Sequence, residues 1–169
     1  MNQPSSSAEH RSKAPDVLQF AVLTVSDTRT IGTDKSGLLI VELMRAAGHE
    51  LVSRAIVPDE PVEIAERTKQ ALSSQVDVLL LTGGTGISHR DQTPEAIEPL
   101  IEVPIPGFGE LFRMLSYEEI GAAAMLSRAF GGRVGSTLVF CLPGSTGAVR
   151  LAMEKLLVPE LPHLVFHAR

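Results

Sequence analysis

Between Val76 and Ala96 the chain reads VDVLLLTGGTGISHRDQTPEA. A short apolar run is followed at once by Thr82-Gly83-Gly84-Thr85-Gly86, and Asp91 comes shortly after. Glycines carry no Cβ, so such a turn can close its backbone N–H groups on an anion. Asp59, in Pro58-Asp59-Glu60-Pro61, and Asp27, in Ser26-Asp27-Thr28, offer further carboxylates after other apolar runs. Pro143-Gly144-Ser145 is a second small-residue turn, read as opening on a helix N-terminus. Carboxylates beside phosphates repel them unless a divalent cation lies between, and magnesium binds one or two carboxylates together with phosphate oxygens. The nearby cations by sequence are Arg29, Lys35, Arg90 and Arg113. A site this poor in fixed positive charge relies on backbone N–H groups and metal, which suits transfer at a phosphate. Taken alone, a glycine turn is a tight strand-to-helix connection, and a single loop acid is a solvated cap. Convergence of several strand ends separates the two readings.

That convergence depends on the elements. Phe20–Val25, Glu50–Val57, Val76–Leu81 and Ser136–Leu142 are short, apolar and rich in β-branched residues, as expected of buried strands. Helical patterns follow over Ser36–Ala47, ended by Gly48, over Val62–Ser74, and over Thr146–Leu157. Thr93-Pro94-Glu95 reads as a helix start with a threonine cap and a proline in the first turn. Glu102–Gly107 carries two prolines and is expected as an edge ribbon at most. Phe108–Phe130 reads as two helical pieces broken near Ser116 or Gly121, the second stopped by Gly131-Gly132. The order predicts an α/β fold, a three-layer sandwich with an open, mostly parallel sheet and helices on both faces. Ligands then sit beyond the carboxyl ends of the strands, the rim where all these polar turns fall.

The chain has 169 residues and a net charge of −5, with no basic stripe, so nucleic acid is not an expected partner. No run has the length of a membrane span, and the N-terminus lacks a signal-peptide core, so a cytoplasmic setting is expected. The single cysteine, Cys141, lies in an apolar strand and reads as a buried thiol. Residues 1–18 are expected as a flexible tail and 19–169 as one domain. The helix after Gly37 is apolar nearly all round, so it is either central or at a subunit interface, and the tail holds Leu164-Val165-Phe166; together they suggest self-association. His163 and His167, at i and i+4, read as solvated side chains. No G-x-x-x-x-G-K-[ST], G-x-G-x-x-G or G-x-S-x-G pattern is present, which disfavours P-loop, dinucleotide and simple hydrolase readings.

The segments TVSDTRT, DKSG, AGHE, IVPDE, LLTGGTGISHRDQTPEA, GFGELFRMLSYEEIG, LSRAFGG and LPGSTGAV occur in that order. From about Phe20 onward the chain resembles the molybdopterin adenylyltransferases of molybdenum cofactor biosynthesis, the MoaB/MogA-like family, and its B-type branch in particular. The resemblance implies a transferase that joins AMP from Mg-ATP to the terminal phosphate of molybdopterin and releases pyrophosphate. It also implies a three-layer domain forming trimers, or hexamers of two trimers. Carried over, Asp59 and Asp91 match catalytic acids acting through Mg2+ and the reacting phosphates. Thr82, Gly83, Gly84, Thr85 and Gly86 match the nucleotide or pterin-phosphate loop. Ser26, Asp27, Ser116, Gly144 and Ser145 match other parts of the ligand pocket, with Glu110 and Arg113 as further candidates. Gln92 stands where well-characterised transferases carry an apolar residue. A non-catalytic relative that binds molybdopterin or scaffolds cofactor assembly remains the alternative, and hydrolysis of a nucleotide-linked compound a third reading.

Overall fold

Alternation along the strands fixes which residues face which layer. In the computed structural model, which describes residues 15–169, β1 is Gln19–Val25, β2 Glu50–Val57, β3 Val78–Thr82, β4 Val103–Pro104, β5 Phe130–Val134 and β6 Thr137–Leu142. They form one sheet in the order β2-β1-β3-β6-β5-β4. β2, β1, β3 and β6 run parallel, whereas β5 and β4 run antiparallel to their neighbours. Even-numbered residues of the central strands, among them Phe20, Val22, Val78, Leu80, Phe140 and Leu142, join one core cluster. Odd-numbered ones, among them Leu23, Leu79, Leu81, Val139 and Cys141, join the other.

The helices divide accordingly. Helices α1 (Lys35–Ala46), α4 (Pro106–Ile120), α5 (Thr146–Ala152) and α6 (Val158–Ala168) pack on the first face. Helices α2 (Pro61–Ser73) and α3 (Thr93–Ile97) pack on the second. The result is the three-layer α/β sandwich with a largely parallel sheet. Asp34 starts α1: its Oδ1 accepts from the Gly37 N–H at 2.9 Å. Gly48, at φ +89°, ends that helix region and turns the chain into β2. Ser145 caps α5, its Oγ accepting from the Ala148 N–H at 3.3 Å.

Of four sequence expectations here, three change and one is narrowed to a single position. First, Phe130–Val134 is a strand, not the end of a helix. Gly131 and Gly132 do not stop a helix; they let Phe140 and Ile101 lie against the backbone, because a Cβ on either would fall 2.4 Å from those side chains. Second, the break expected near Ser116 or Gly121 falls at Gly121, φ +65°, and a 3-10 turn over Gly121–Leu126 follows in place of a second α-helix. Third, Thr93 does not cap α3; its buried Oγ1 donates to the Gly83 carbonyl at 2.9 Å, and Gln92 holds the cap position without a side-chain bond. Fourth, the C-terminal tail is helix α6, with Leu161 and Val165 fully buried in the chain's own core. The inner residues of α1, Ile40, Val41 and Met44, are covered in the same way.

Of the expected tail, residues 1–14 lie outside the described part. Leu18 is fully buried, and its N–H reaches His49 Nδ1 at 3.4 Å, so the packed body already includes it. Val103–Pro104 is the expected edge strand. Among the described residues no helix is long and apolar enough to cross a membrane.

Candidate functional site

The parallel strands end at one rim, and the loops leaving them enclose a cleft of about 720 Å³. Asp59 comes from β2, Ser26 to Arg29 from β1, Thr82 to Gly86 from β3, and Pro143 to Ser145 from β6. The opposite wall is more apolar and belongs to α4 and the 3-10 turn: Phe112, Ile120, Ala123, Ala124 and Leu126, with the hydroxyl residues Ser116 and Ser127 among them.

The two glycine turns touch. A Cβ on Gly144 would lie 3.4 Å from Gly83 Cα. Gly83, at φ +105°, sits so close to β1 that a Cβ there would fall 2.2 Å from the Val25 carbonyl oxygen. Gly84, at φ +63°, leaves room for Thr93 Oγ1 and Asp59 Oδ2, which a Cβ would meet at 2.3 and 3.0 Å. Gly86 does the same for Asp91, whose Oδ2 would lie 2.7 Å from a Cβ. Absent side chains on Gly84 and Gly86 therefore bring both acids against the turn, and the bare Gly83 seats the turn on β1.

Asp59 is 8% exposed, and Oδ1 accepts from the Gln92 N–H at 3.1 Å. Its own N–H donates to Asp27 Oδ1 at 3.0 Å. Burial, with the neighbouring carboxylates of Asp91 and Asp27, pushes the Asp59 carboxyl above its ordinary range, against the opposing Gln92 bond and Arg90. Asp91 accepts from the Ser88 N–H at 2.8 Å. Arg90 donates to Asp27 Oδ2 at 2.7 Å and to Glu60 Oε1 at 2.9 Å. The Arg90 hydrogen bond, and then the Asp59 N–H, hold Asp27 below the usual carboxylate range. Arg128 ties the two walls together, donating from Nε to the Gly86 carbonyl and from Nη2 to the Asp91 carbonyl, each at 2.6 Å.

The structure brings together Ser26, Asp27, Asp59, Thr82 to Gly86, Asp91, Ser116, Gly144 and Ser145 around this cleft. It does not bring Glu110 there. Glu110 and Arg113 face a separate hollow with Ile105, Ala129 and Gly131, because their positions on α4 point away from Phe112 and Ser116. Arg113 donates to the Ala129 carbonyl at 3.0 Å. Lys35 is exposed and does not line the cleft. Sequence reasoning missed Phe112, Ser127 and the bracing role of Arg128; Ser127 and Arg128 link the 3-10 turn after Gly121 to β5, a stretch whose pattern predicts helix.

Among the described residues no group of three or more His, Cys, Asp or Glu side chains closes on a metal. The donor set therefore suits a cation that takes one or two carboxylates and completes its shell with ligand oxygens and water, as magnesium does. Asp59 and Asp91, both against the glycine turn, are the pair able to do this.

A three-layer α/β domain with glycine turns and buried acids at the strand ends defines a class of small-molecule binding domains. Residues 21–163 match the family described as "Probable molybdopterin binding domain". The chain is 52% identical to the molybdenum cofactor biosynthesis protein B of Bacillus subtilis (strain 168), with 95% of this chain and 96% of the relative covered. A crystal structure of a molybdenum cofactor biosynthesis protein B is 52% identical and superposes with a TM-score of 0.89, covering 92% of this chain and 98% of its own. The tungsten cofactor synthesizing protein MoaB from Pyrococcus furiosus is 43% identical, with a TM-score of 0.84 and coverage of 92% and 99%. The chain belongs to this molybdopterin-binding family of cofactor biosynthesis proteins.

Proposed function

We propose that the protein is a molybdopterin adenylyltransferase of molybdenum cofactor biosynthesis, using Mg-ATP to place AMP on the terminal phosphate of molybdopterin. One observation carries the reading: buried Asp59 and half-buried Asp91 lie against a three-glycine turn in a cleft with one polar and one apolar wall. The apolar wall suits a flat ring system, and the polar wall suits phosphates.

The reaction forms a P–O bond between a phosphate oxygen of molybdopterin and the α-phosphorus of ATP. It breaks the bond to the β-phosphate, and pyrophosphate leaves. The nucleophile is already ionised near neutral pH, so no general base is required and positioning dominates. Magnesium, bound with the nucleotide, supplies positive charge to the phosphate oxygens. The glycine turn offers N–H groups to those oxygens, and Asp59 and Asp91 orient the metal-bearing phosphates. Arg90, donating to Asp27, and the Gln92 N–H, donating to Asp59, hold these two carboxylates in place at the cleft.

The deciding experiment incubates the protein with Mg-ATP and molybdopterin and follows the AMP conjugate and pyrophosphate by mass spectrometry. Tight molybdopterin binding without conjugate would replace the transferase reading with a binding or scaffolding role. AMP release without molybdopterin would replace it with hydrolysis. Self-association belongs to the same proposal. The stripe Leu111, Met114, Tyr117 and Ile120 on α4, each between 47% and 62% exposed, supports it. A single monomeric species in light scattering at micromolar concentration would remove it.

A further inference from the structure

Among the described residues lining the cleft there are three carboxylates, Asp27, Asp59 and Asp91, and one cation, Arg29. Arg90 and Arg128, the other arginines nearby, do not line the cleft and are engaged, Arg90 with Asp27 and Glu60 and Arg128 with the Gly86 and Asp91 carbonyls. Arg29 is held differently. Its Nη1 donates to Ser36 Oγ at 3.0 Å and lies 3.5 Å from Asp34 Oδ1. Its Nη2 donates to the Gly144 carbonyl at 3.2 Å, which also accepts from Ser36 Oγ at 2.7 Å. The guanidinium is thus fixed along one edge to the start of α1 and to the second glycine turn. Its side chain stays 35% exposed. A guanidinium has five N–H donors in a fixed fork, so two anchoring bonds leave donors for a ligand.

The position of this fork matters as much as its charge. Gly144 leaves β6 and Asp59 leaves β2, three strand spacings apart in the order β2-β1-β3-β6. At about 4.8 Å per spacing the rim runs roughly 14 Å from one to the other. An anion at Arg29 therefore lies toward the β6 end, away from Asp59, with Asp34 the carboxylate against the fork's anchored edge. A ligand with two separated anionic groups would meet the two carboxylates with one and Arg29 with the other.

Resting on the adenylyltransferase reading, we propose that Arg29 is the metal-independent phosphate clamp of this cleft, binding a phosphoryl group at the β6 end. That group is either the phosphomonoester of molybdopterin or a phosphate of the nucleotide. The carboxylates would repel any phosphate that arrives without metal, so the clamp is what lets one of the two phosphate ligands bind unaided. Asp34, Ser36 and Gly144 are its positioning partners.

The test measures binding to the full chain by calorimetry in EDTA, with ATP, molybdopterin and inorganic pyrophosphate as separate probes. Wild type is compared with Arg29→Ala, Arg29→Lys and Ser36→Ala, and with Arg150→Gln as a charge control on the outer face of α5. Charge-assisted hydrogen bonds of this kind correspond to an affinity loss of about 10- to 100-fold in Arg29→Ala for the ligand the clamp holds. Arg29→Lys and Ser36→Ala should lose less, because each keeps the charge and disturbs only the fork. A loss confined to molybdopterin assigns the clamp to the phosphomonoester, and one confined to ATP and pyrophosphate assigns it to the nucleotide. Arg29-dependent binding without conjugate formation would leave the clamp standing while the transferase reading falls. Equal affinities of wild type and Arg29→Ala for all three probes, or no metal-free binding of any by wild type, would overturn the clamp. Circular dichroism and thermal unfolding establish that each variant is folded; if Arg29→Ala is not, the Arg29→Lys and Ser36→Ala titrations decide.

Discussion

Replacing Gly83 by alanine is expected to unfold the site from its centre. Gly83 has φ +105°, where a side chain costs about 1–3 kcal/mol. Its Cβ would fall 2.2 Å from the Val25 carbonyl oxygen, a backbone atom. Val25 and Gly83 follow Thr24 and Thr82, which are paired in the centre of the sheet, so neither backbone can withdraw without parting β1 from β3. Overpacking of this kind adds about 1–3 kcal/mol. The sum is about 2–6 kcal/mol, and at about 2–4 °C per kcal/mol for a chain of this size the midpoint should fall by roughly 5–20 °C. Gly147, in the first turn of α5, provides the comparison. Nothing lies within 4 Å of a Cβ there, so Gly147→Ala should leave the midpoint unchanged or raise it slightly. Differential scanning calorimetry of the two variants settles the matter. A Gly83→Ala midpoint within 2 °C of wild type, a margin of about 1 kcal/mol or less, would refute the argument that close approach and backbone angle require glycine.

Asp59→Asn should abolish magnesium-dependent conjugate formation and yet raise thermal stability at neutral pH, because the native state bears an ionised carboxylate that burial and two acids disfavour. A carboxyl held above its ordinary range penalises folding at pH values above the folded pKa. The stability gap between variant and wild type should therefore narrow as pH falls through that pKa toward the ordinary carboxylate range; a gap independent of pH would count against the assignment. Asp34→Ala should cost about 3–5 kcal/mol, since it strands the largely buried Arg54 guanidinium that donates to Asp34 Oδ2 at 2.9 Å, and denaturant titration measures it. Burial raises the Asp34 carboxyl, but the Gly37 N–H, Arg54 and Thr24 outweigh that and set it below its usual value. Its contribution is therefore present above the ordinary carboxylate pKa and lost as pH falls through the lower folded value. Cys141 is fully buried, and burial pushes its thiol well above the usual range. It should resist a maleimide in the native protein and react fully in denaturant.

The polar half of the cleft was legible because parallel strands force their carboxyl ends to one rim. Once Phe20–Val25, Val76–Leu81 and Ser136–Leu142 read as strands, the meeting of Ser26, Thr82 to Gly86 and Gly144 followed. Asp91 was legible from its place after the glycine turn. Of the opposite wall only Ser116 was, because the rest depends on a 3-10 turn after Gly121 and on a strand built around Gly131 and Gly132, where the pattern reads as helix. Glycines there serve close packing, and a periodicity search reads them as breaks. Thr93 misled for a related reason: threonine before proline is a common cap, but here its hydroxyl was taken by the Gly83 carbonyl. The apolar face of α6 pointed outward in the sequence reading because its core partners, such as Phe20 and Leu18, are distant in sequence.

The interlocking of the cleft's walls bears on how long the protein survives. Asp27 is joined to Arg90, Asp59 to Gln92, and Arg29 to Gly144, links that span 63, 33 and 115 positions of the chain. Detaching any one loop removes a wall, so partly opened forms cannot hold a ligand. A ligand at a hundredfold excess over its Kd would then deepen the folded state by about 2.7 kcal/mol. Opening to proteases would become correspondingly rarer, and the amount of protein persisting in the cell would follow the supply of whatever ligand fills the cleft.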